Sequence, residues 1–280
     1  MSVLLLLVLL ASPSWRAESF EVVETRTFRE SIPLEGWRGL TVDNVFGAIT
    51  VAGDGGSDIR MVVSERIEAE DREQLQRARD EASLEISRRG DRIVICADGP
   101  FRDPDDCTEW AQGLHRGRDR YRVVYEIELK VPRSIDLEVG TIEGDLTVSD
   151  VRGRLDVHGV QGAVEIQGAA GPVTAGTVNS GVHVVFVENP REDSSFGTVN
   201  GEIDVVFRPD LSADLFFETM NGEILTDFEY RKLSPVTRRS ESSRAGITYR
   251  LEVDSGIRIG RGGPQLRFNN INGDITIHRN

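Results

Sequence analysis

The sequence predicts an all-β fold, a β-solenoid of stacked short strands built from roughly nine-residue half-coils, with one N-terminal helix. Three observations lead there. A unit of turn, glycine and alternating residues returns every nine residues as Gly144-Asp-Leu-Thr-Val, Gly153-Arg-Leu-Asp-Val, Gly162-Ala-Val-Glu-Ile and Gly171-Pro-Val-Thr-Ala, with Ser180-Gly-Val-His-Val in the next slot. The second residue after the glycine is branched and apolar throughout (Ile49, Leu146, Leu155, Val164, Val173, Val182, Ile203, Ile224, Ile275), while the third is mostly polar (Thr50, Thr147, Asp156, Glu165, Thr174, His183, Asp204, Thr276). This is the period-two alternation of a half-buried strand. Finally, 28 glycines against 10 prolines supply many tight turns.

Two further units, Val199-Asn-Gly-Glu-Ile-Asp-Val205 and Met220-Asn-Gly-Glu-Ile-Leu-Thr226, follow at steps of 21, and Ile271-Asn-Gly-Asp-Ile-Thr-Ile277 closes the chain. An early copy, Val45-Phe-Gly-Ala-Ile-Thr-Val51, stands apart. The Xaa-Gly pair is expected to supply a positive φ at each corner. Regular nine-residue spacing favours equivalent coils over hairpins, each nine being one side of a flattened coil of roughly twenty residues. A sandwich is the structural alternative. Residues 136–280 are thus read as the solenoid repeats, and the last unit as a terminal coil with an exposed edge after Ile277.

Residues 18–135 are read as strands, a helix and a cysteine loop of the same domain. Segments Phe20–Phe28, Gly39–Val51, Ile59–Ile67, Asp91–Ala97 and Tyr121–Val131 have strand character. Glu68–Leu84 reads as a helix with Leu75, Ala78 and Ala82 on one stripe among strong helix formers. Residues 1–17 are read as a signal peptide: the apolar run Leu4–Ala11 is short of the roughly 20 residues a spanning helix needs, and small residues follow it. An N-terminal membrane anchor is the competing reading. Export to the periplasm, the cell surface or the medium follows, with no transmembrane segment after signal removal.

Cys96 and Cys107 flank an acidic loop containing Asp103, Asp105 and Asp106. In an oxidising compartment they are expected to form a disulfide, contributing about 3 kcal/mol by restricting the unfolded chain. The loop lacks the EF-hand pattern, and two cysteines lack zinc-site spacing, so no metal is assigned.

A net charge of −14 argues against nucleic acid as a partner. No Gly-x-Ser-x-Gly elbow occurs, His115, His158, His183 and His278 are scattered, and neither Gly53–Ser57 nor Gly260–Gly263 has a phosphate-loop context. No catalytic, cofactor-binding or metal-ligating residue is assigned. The outward row Asp156, Glu165, His183 and Asp204 is the one acid/base set worth testing, although alternation alone produces such a row. Two basic stretches interrupt the acidic background: His115–Arg122, with Arg116, Arg118 and Arg120, and Arg231–Arg239, with Arg238, Arg239 and, beyond it, Arg244. As binding sites they would meet anionic glycan or lipid headgroups. As a solvated hairpin between strands Gly222–Phe228 and Gly246–Val253, the second would serve solubility.

The strand-helix-strand opening, Tyr125-Glu-Ile-Glu-Leu-Lys-Val-Pro-Arg133, the signature Gly197-Thr-Val-Asn-Gly201 with Thr219-Met-Asn-Gly222 and Asn270-Ile-Asn-Gly273, and the approach Ile259–Phe268 together resemble the DUF4097 family of bacterial adhesin-like proteins over nearly the whole mature chain. The resemblance implies a β-solenoid in an envelope or extracytoplasmic setting and brings no catalytic residues with it. The Cys96–Cys107 loop and the degenerate unit Gln161-Gly-Ala-Val depart from the family pattern. The function expected is therefore a non-enzymatic envelope scaffold or adhesin-like interaction surface, whose partners would be envelope proteins or anionic glycans. A carbohydrate-active β-helix lyase or hydrolase and an envelope-stress regulatory partner are the alternatives.

Overall fold

The computed structural model describes residues 20–34, 36–101, 120–233 and 256–280. Residues 1–17, Cys107, the Asp103–Asp106 loop, His115, Arg116, Arg118, Arg238, Arg239, Arg244 and the Gly246–Val253 strand lie outside the described residues. Among the described residues the fold is all-β, with two large mixed sheets and one helix.

The N-terminal half contributes strands β1 (Val22–Pro33), β2 (Gly39–Asp43), β3 (Ile49–Asp54) and β4 (Asp58–Ala69), helix α1 (Arg72–Glu81), then β5 (Ser83–Arg89), β6 (Arg92–Asp98) and β7 (Tyr121–Pro132). From Asp136 the strands are short: β8 (Asp136–Glu143), β9 (Leu146–Ser149), β10 (Leu155–Gln161), β11 (Val164–Ala169), β12 (Val173–Gly176) and β13 (Val182–Phe186). They continue as β14 (Ser194–Asn200), β15 (Ile203–Phe207), β16 (Ala213–Asn221) and β17 (Ile224–Thr226). The chain ends with β18 (Tyr230–Lys232), β19 (Gly256–Ile259), β20 (Gln265–Asn272) and β21 (Ile275–Arg279).

Between β8 and β17 consecutive strands alternate between the sheets. The first sheet runs β1-β4-β7-β3-β9-β11-β13-β15-β21-β17, the second β18-β19-β16-β20-β14-β12-β10-β8-β2-β6-β5. One strand in each sheet makes a round, and successive rounds pair in parallel. Leu137, Leu155 and Val173 stand in one register, as do Leu146, Val164 and Val182. The nine-residue period is therefore half a round of 18. The step lengthens to 21 where the segment 187–193 is inserted between β13 and β14, pairing Val182 with Ile203.

Chain order and stacking order differ at both ends. The early copy around Gly47 does not stand apart: β2 pairs with β8 and β3 with β9, so it is the round before the repeats. Strands β6 and β7 lie outside it in turn. At the other end β20 and β21 insert between the β14–β15 and β16–β17 rounds. The unit expected to end the stack is thus internal, and β17 is the edge of the first sheet. Three stacked ring pairs fix this order: Phe186 on Phe207 at 5.0 Å, Phe196 on Phe268 at 5.1 Å and Phe268 on Phe217 at 5.3 Å.

The inward residues of the units, from Ile49 to Ile275, are buried in one core, each such burial being worth about 1.5–3 kcal/mol. Ile224 is the exception at 42% exposed, because it sits in the edge strand β17. The expected single strand Gly39–Val51 is broken between β2 and β3 by the buried Asn44, whose Nδ2 donates to Tyr125 O at 2.8 Å and to Phe46 O and Gly47 O at 3.1 Å. The helix is shorter than expected. Asp71 caps it by accepting from Gln74 N at 2.8 Å, while Glu68, Ala69, Ser83 and Leu84 are taken by strand ladders. Ala78 and Ala82 are buried and Leu75 packs against the core, as the stripe predicts.

Candidate interaction surface

The Thr-Val-Asn-Gly signature builds one edge of the molecule, where each round turns from the second sheet into the first. Its glycines sit against the carbonyl of the round below. A Cβ on Gly144 would lie 2.2 Å from Gly47 O, on Gly162 1.9 Å from Gly144 O, on Gly201 1.9 Å from Ser180 O, on Gly273 2.0 Å from Gly201 O, and on Gly222 2.0 Å from Gly273 O. Positive φ occurs at Gly47 (+115°) and Gly273 (+129°) but not at Gly201 or Gly222. At the last two, close backbone approach rather than a left-handed corner explains the glycine.

In three rounds an inward threonine satisfies such a carbonyl. Thr141 Oγ1 donates to Gly47 O at 3.1 Å, Thr177 to Gly162 O at 2.9 Å and Thr198 to Ser180 O at 2.8 Å. Asn270 Nδ2 takes the same place, donating to Gly201 O at 3.0 Å and Gly273 O at 2.7 Å. The asparagines form a ladder on the outside. Asn200 donates to Asn179 at 3.1 Å, Asn272 to Asn200 at 2.8 Å and Asn221 to Asn272 at 2.8 Å. Between the threonine and asparagine rows runs an outward apolar column, Ile142, Val160, Val178, Val199, Ile271 and Met220, lined up by the parallel register. It is half-buried along its length and most exposed at its end, where Ile271 is 41% and Met220 75% exposed. Leu225 and Tyr230 stand exposed nearby on the two terminal strands.

The proposed acid/base row is brought together only in part. Asp156 lies on β10 in the second sheet, where His158 Nε2 is 2.5 Å from its Oδ1, while Glu165, His183 and Asp204 lie on β11, β13 and β15 of the first. Alternate units belong to opposite sheets, so a nine-residue spacing puts consecutive outward residues on opposite faces. On the first sheet Glu165, His183 and Asp204 are register neighbours. His183 Nδ1 lies 3.2 Å from Asp204 Oδ2, and His278 Nδ1 lies 3.0 Å from Asp227 Oδ2. The His278 contact, with the Arg279 N–H donating as well, holds the Asp227 carboxyl below its usual range. Among the described residues no group of three or more His, Cys, Asp or Glu side chains is arranged to hold a metal ion, and no helix is long and apolar enough to cross a membrane.

Of the six candidate arginines only Arg120 is described, and its Nε pairs with Glu70 Oε2 at 2.6 Å. This ion pair joins the residues that flank the β4 and β7 ends. Cys96 is buried on β6. Cys107 and most of the first basic stretch fall in the chain between β6 and β7, outside the described residues.

No family model matches the chain, and no curated protein does. Among solved structures it is similar to a "putative cell adhesion protein" from Clostridium sporogenes (9% identity, 92% of this chain and 100% of the other, TM-score 0.49). It is also similar to a "putative lipid binding protein" from Parabacteroides distasonis (9% identity, 91% and 96%, TM-score 0.33) and a "putative adhesin" from Bacteroides fragilis (10% identity, 93% and 98%, TM-score 0.31).

Proposed function

We propose that this chain is an exported, non-enzymatic interaction scaffold, and that its two sheets are the two sides of a flattened β-solenoid. The observation that carries the reading is the parallel register, with steps of 18 and then 21 residues, which turns single outward side chains into continuous columns running the length of the stack. Repeat folds offer extended surfaces to partners in this way. The DUF4097 resemblance, residues 1–17 as the signal peptide, the 18–135 and 136–280 division, and a Cys96–Cys107 disulfide at the β6–β7 corner belong to the same proposal. So do the assignment of envelope proteins or anionic glycans as partners, and of Arg116, Arg118, Arg120, Arg238, Arg239 and Arg244 as their contacts. For the enzyme alternative the row is reduced to Glu165, His183 and Asp204, because Asp156 lies in the other sheet.

The test is capture of partners by residues 18–280, with the disulfide intact, from the cell-envelope extract and on a glycan panel. Saturable retention of an envelope protein or a glycan is the expected result. Absence of any saturable partner would overturn the proposal, and turnover of a polysaccharide would favour the enzyme alternative.

A further inference from the structure

The edge opposite the asparagine ladder carries a pocket that neither the repeat nor the signature explains. Here the segment between β13 and β14, the segment between β15 and β16, and the loop before β20 line an open groove of about 730 Å³. That is within the range of roughly 300–1,000 Å³ usual for small-molecule sites. Its wall is stiff: Pro190, Pro209 and Pro264 come one from each segment, and each has a fixed φ. Asn189 ties two segments together, with Nδ2 donating to Asp210 Oδ1 at 2.9 Å and Oδ1 accepting from Arg208 N at 2.9 Å. Ser212 ties in the third, its Oγ donating to Gly262 O at 2.8 Å and accepting from Arg261 N at 3.0 Å. A preformed wall lowers the ordering cost of binding.

Two arginines line this groove, Arg191 and Arg208. Both are exposed, and neither has a carboxylate partner among the described residues, so both guanidinium groups are available to an anionic ligand in a chain of net charge −14. A guanidinium is suited to bidentate pairing with a carboxylate. The same lining supplies the Glu188 and Asp210 carboxylates, which accept from hydroxyls, and three proline rings as apolar surface.

We propose that this corner pocket binds a carboxylate-bearing oligosaccharide, with Arg191 and Arg208 receiving its carboxylates. The inference rests on the scaffold reading and names a ligand class and a site for it. Calorimetric titration of residues 18–280 with trigalacturonate, and with galactotriose as its uncharged counterpart, tests it. Saturable binding of trigalacturonate is expected, at least tenfold weaker for galactotriose and at least tenfold weaker in R191A/R208A, with the thermal midpoint of that variant unchanged. The variant R133A/R152A removes the same charge from exposed positions outside the pocket and is expected to bind within twofold of the parent. No saturation by trigalacturonate, equal affinity for galactotriose, undiminished binding by R191A/R208A, or an equal loss in R133A/R152A would overturn the pocket. The scaffold reading fails separately, on the absence of any saturable partner in the capture experiment.

Discussion

A glycine in this fold is read by what lies above and below it, and two glycines four residues apart show the difference. A Cβ on Gly201 would lie 1.9 Å from Ser180 O, whereas a Cβ on Gly197 would meet nothing closer than Asn269 O at 3.7 Å. Gly201→Ala is therefore expected to cost about 3 kcal/mol or more by forcing two rounds apart, and Gly197→Ala less than about 1 kcal/mol. Urea unfolding of the two variants measures both. Burial sorts the apolar unit residues in the same way. Ile203→Asp places an unpaired charge in the core and is expected to destabilise by about 3–5 kcal/mol, while Thr147→Asp, outward, and Ile224→Asp, in the edge strand, are expected to be mild. Equal losses at all three positions would contradict the burial pattern.

At the scale of elements, the short edge strand β17 is held to β21 by its ladder and by the Asp227 contacts that follow it. Asp227 has a folded pKa below its unfolded value, so its contribution is present above about pH 4 and is lost as pH falls through the folded value. Asp227→Asn is expected to lower the thermal midpoint at pH 6, with the gap to the parent narrowing as the pH falls below about 4; a gap independent of pH would exclude the carboxylate as its source. Helix α1 illustrates competition at the same scale. Its sequence favours helix well beyond Arg72–Glu81, but Glu68 and Ala69 pair with Arg122 and Tyr121, and Ser83 and Leu84 with Asp98 and Ala97. Those ladders bury apolar neighbours that a longer helix would leave in water.

For the whole molecule the decisive feature is the insertion of the C-terminal round between two earlier ones. Truncation after Gly260 is expected to destroy the compact state of the entire β14–β17 end, because it removes the strands that join β14 to β16 and β15 to β17, and leaves Phe196 and Phe217 without Phe268. Near-ultraviolet circular dichroism and limited proteolysis report this. A stack in chain order would lose one round and stay folded. Insertion also means that the final strands must be present before β16 and β17 can dock, which couples the two ends of the 194–280 segment in folding.

The all-β class, the half-round of nine residues, the inward and outward rows and the helix stripe were legible in the sequence because each rests on local periodicity and turn chemistry. Even the Thr-Val-Asn-Gly signature was visible as a string, though its meaning was not: threonine, valine, asparagine and glycine serve the carbonyl below, the outer column, the ladder and the close approach. Which round lies beside which was decided only in three dimensions, because repeats with interchangeable registers do not encode their own order, and side-chain fits such as Phe196 on Phe268 on Phe217 do. The same limit hid the corner pocket. Asn189-Pro-Arg191 and Arg208-Pro-Asp210 are 19 residues apart and unremarked as motifs, and only the stacking of their rounds makes one site of them. It also separated Asp156 from Glu165, since nine residues along this chain is one full change of face.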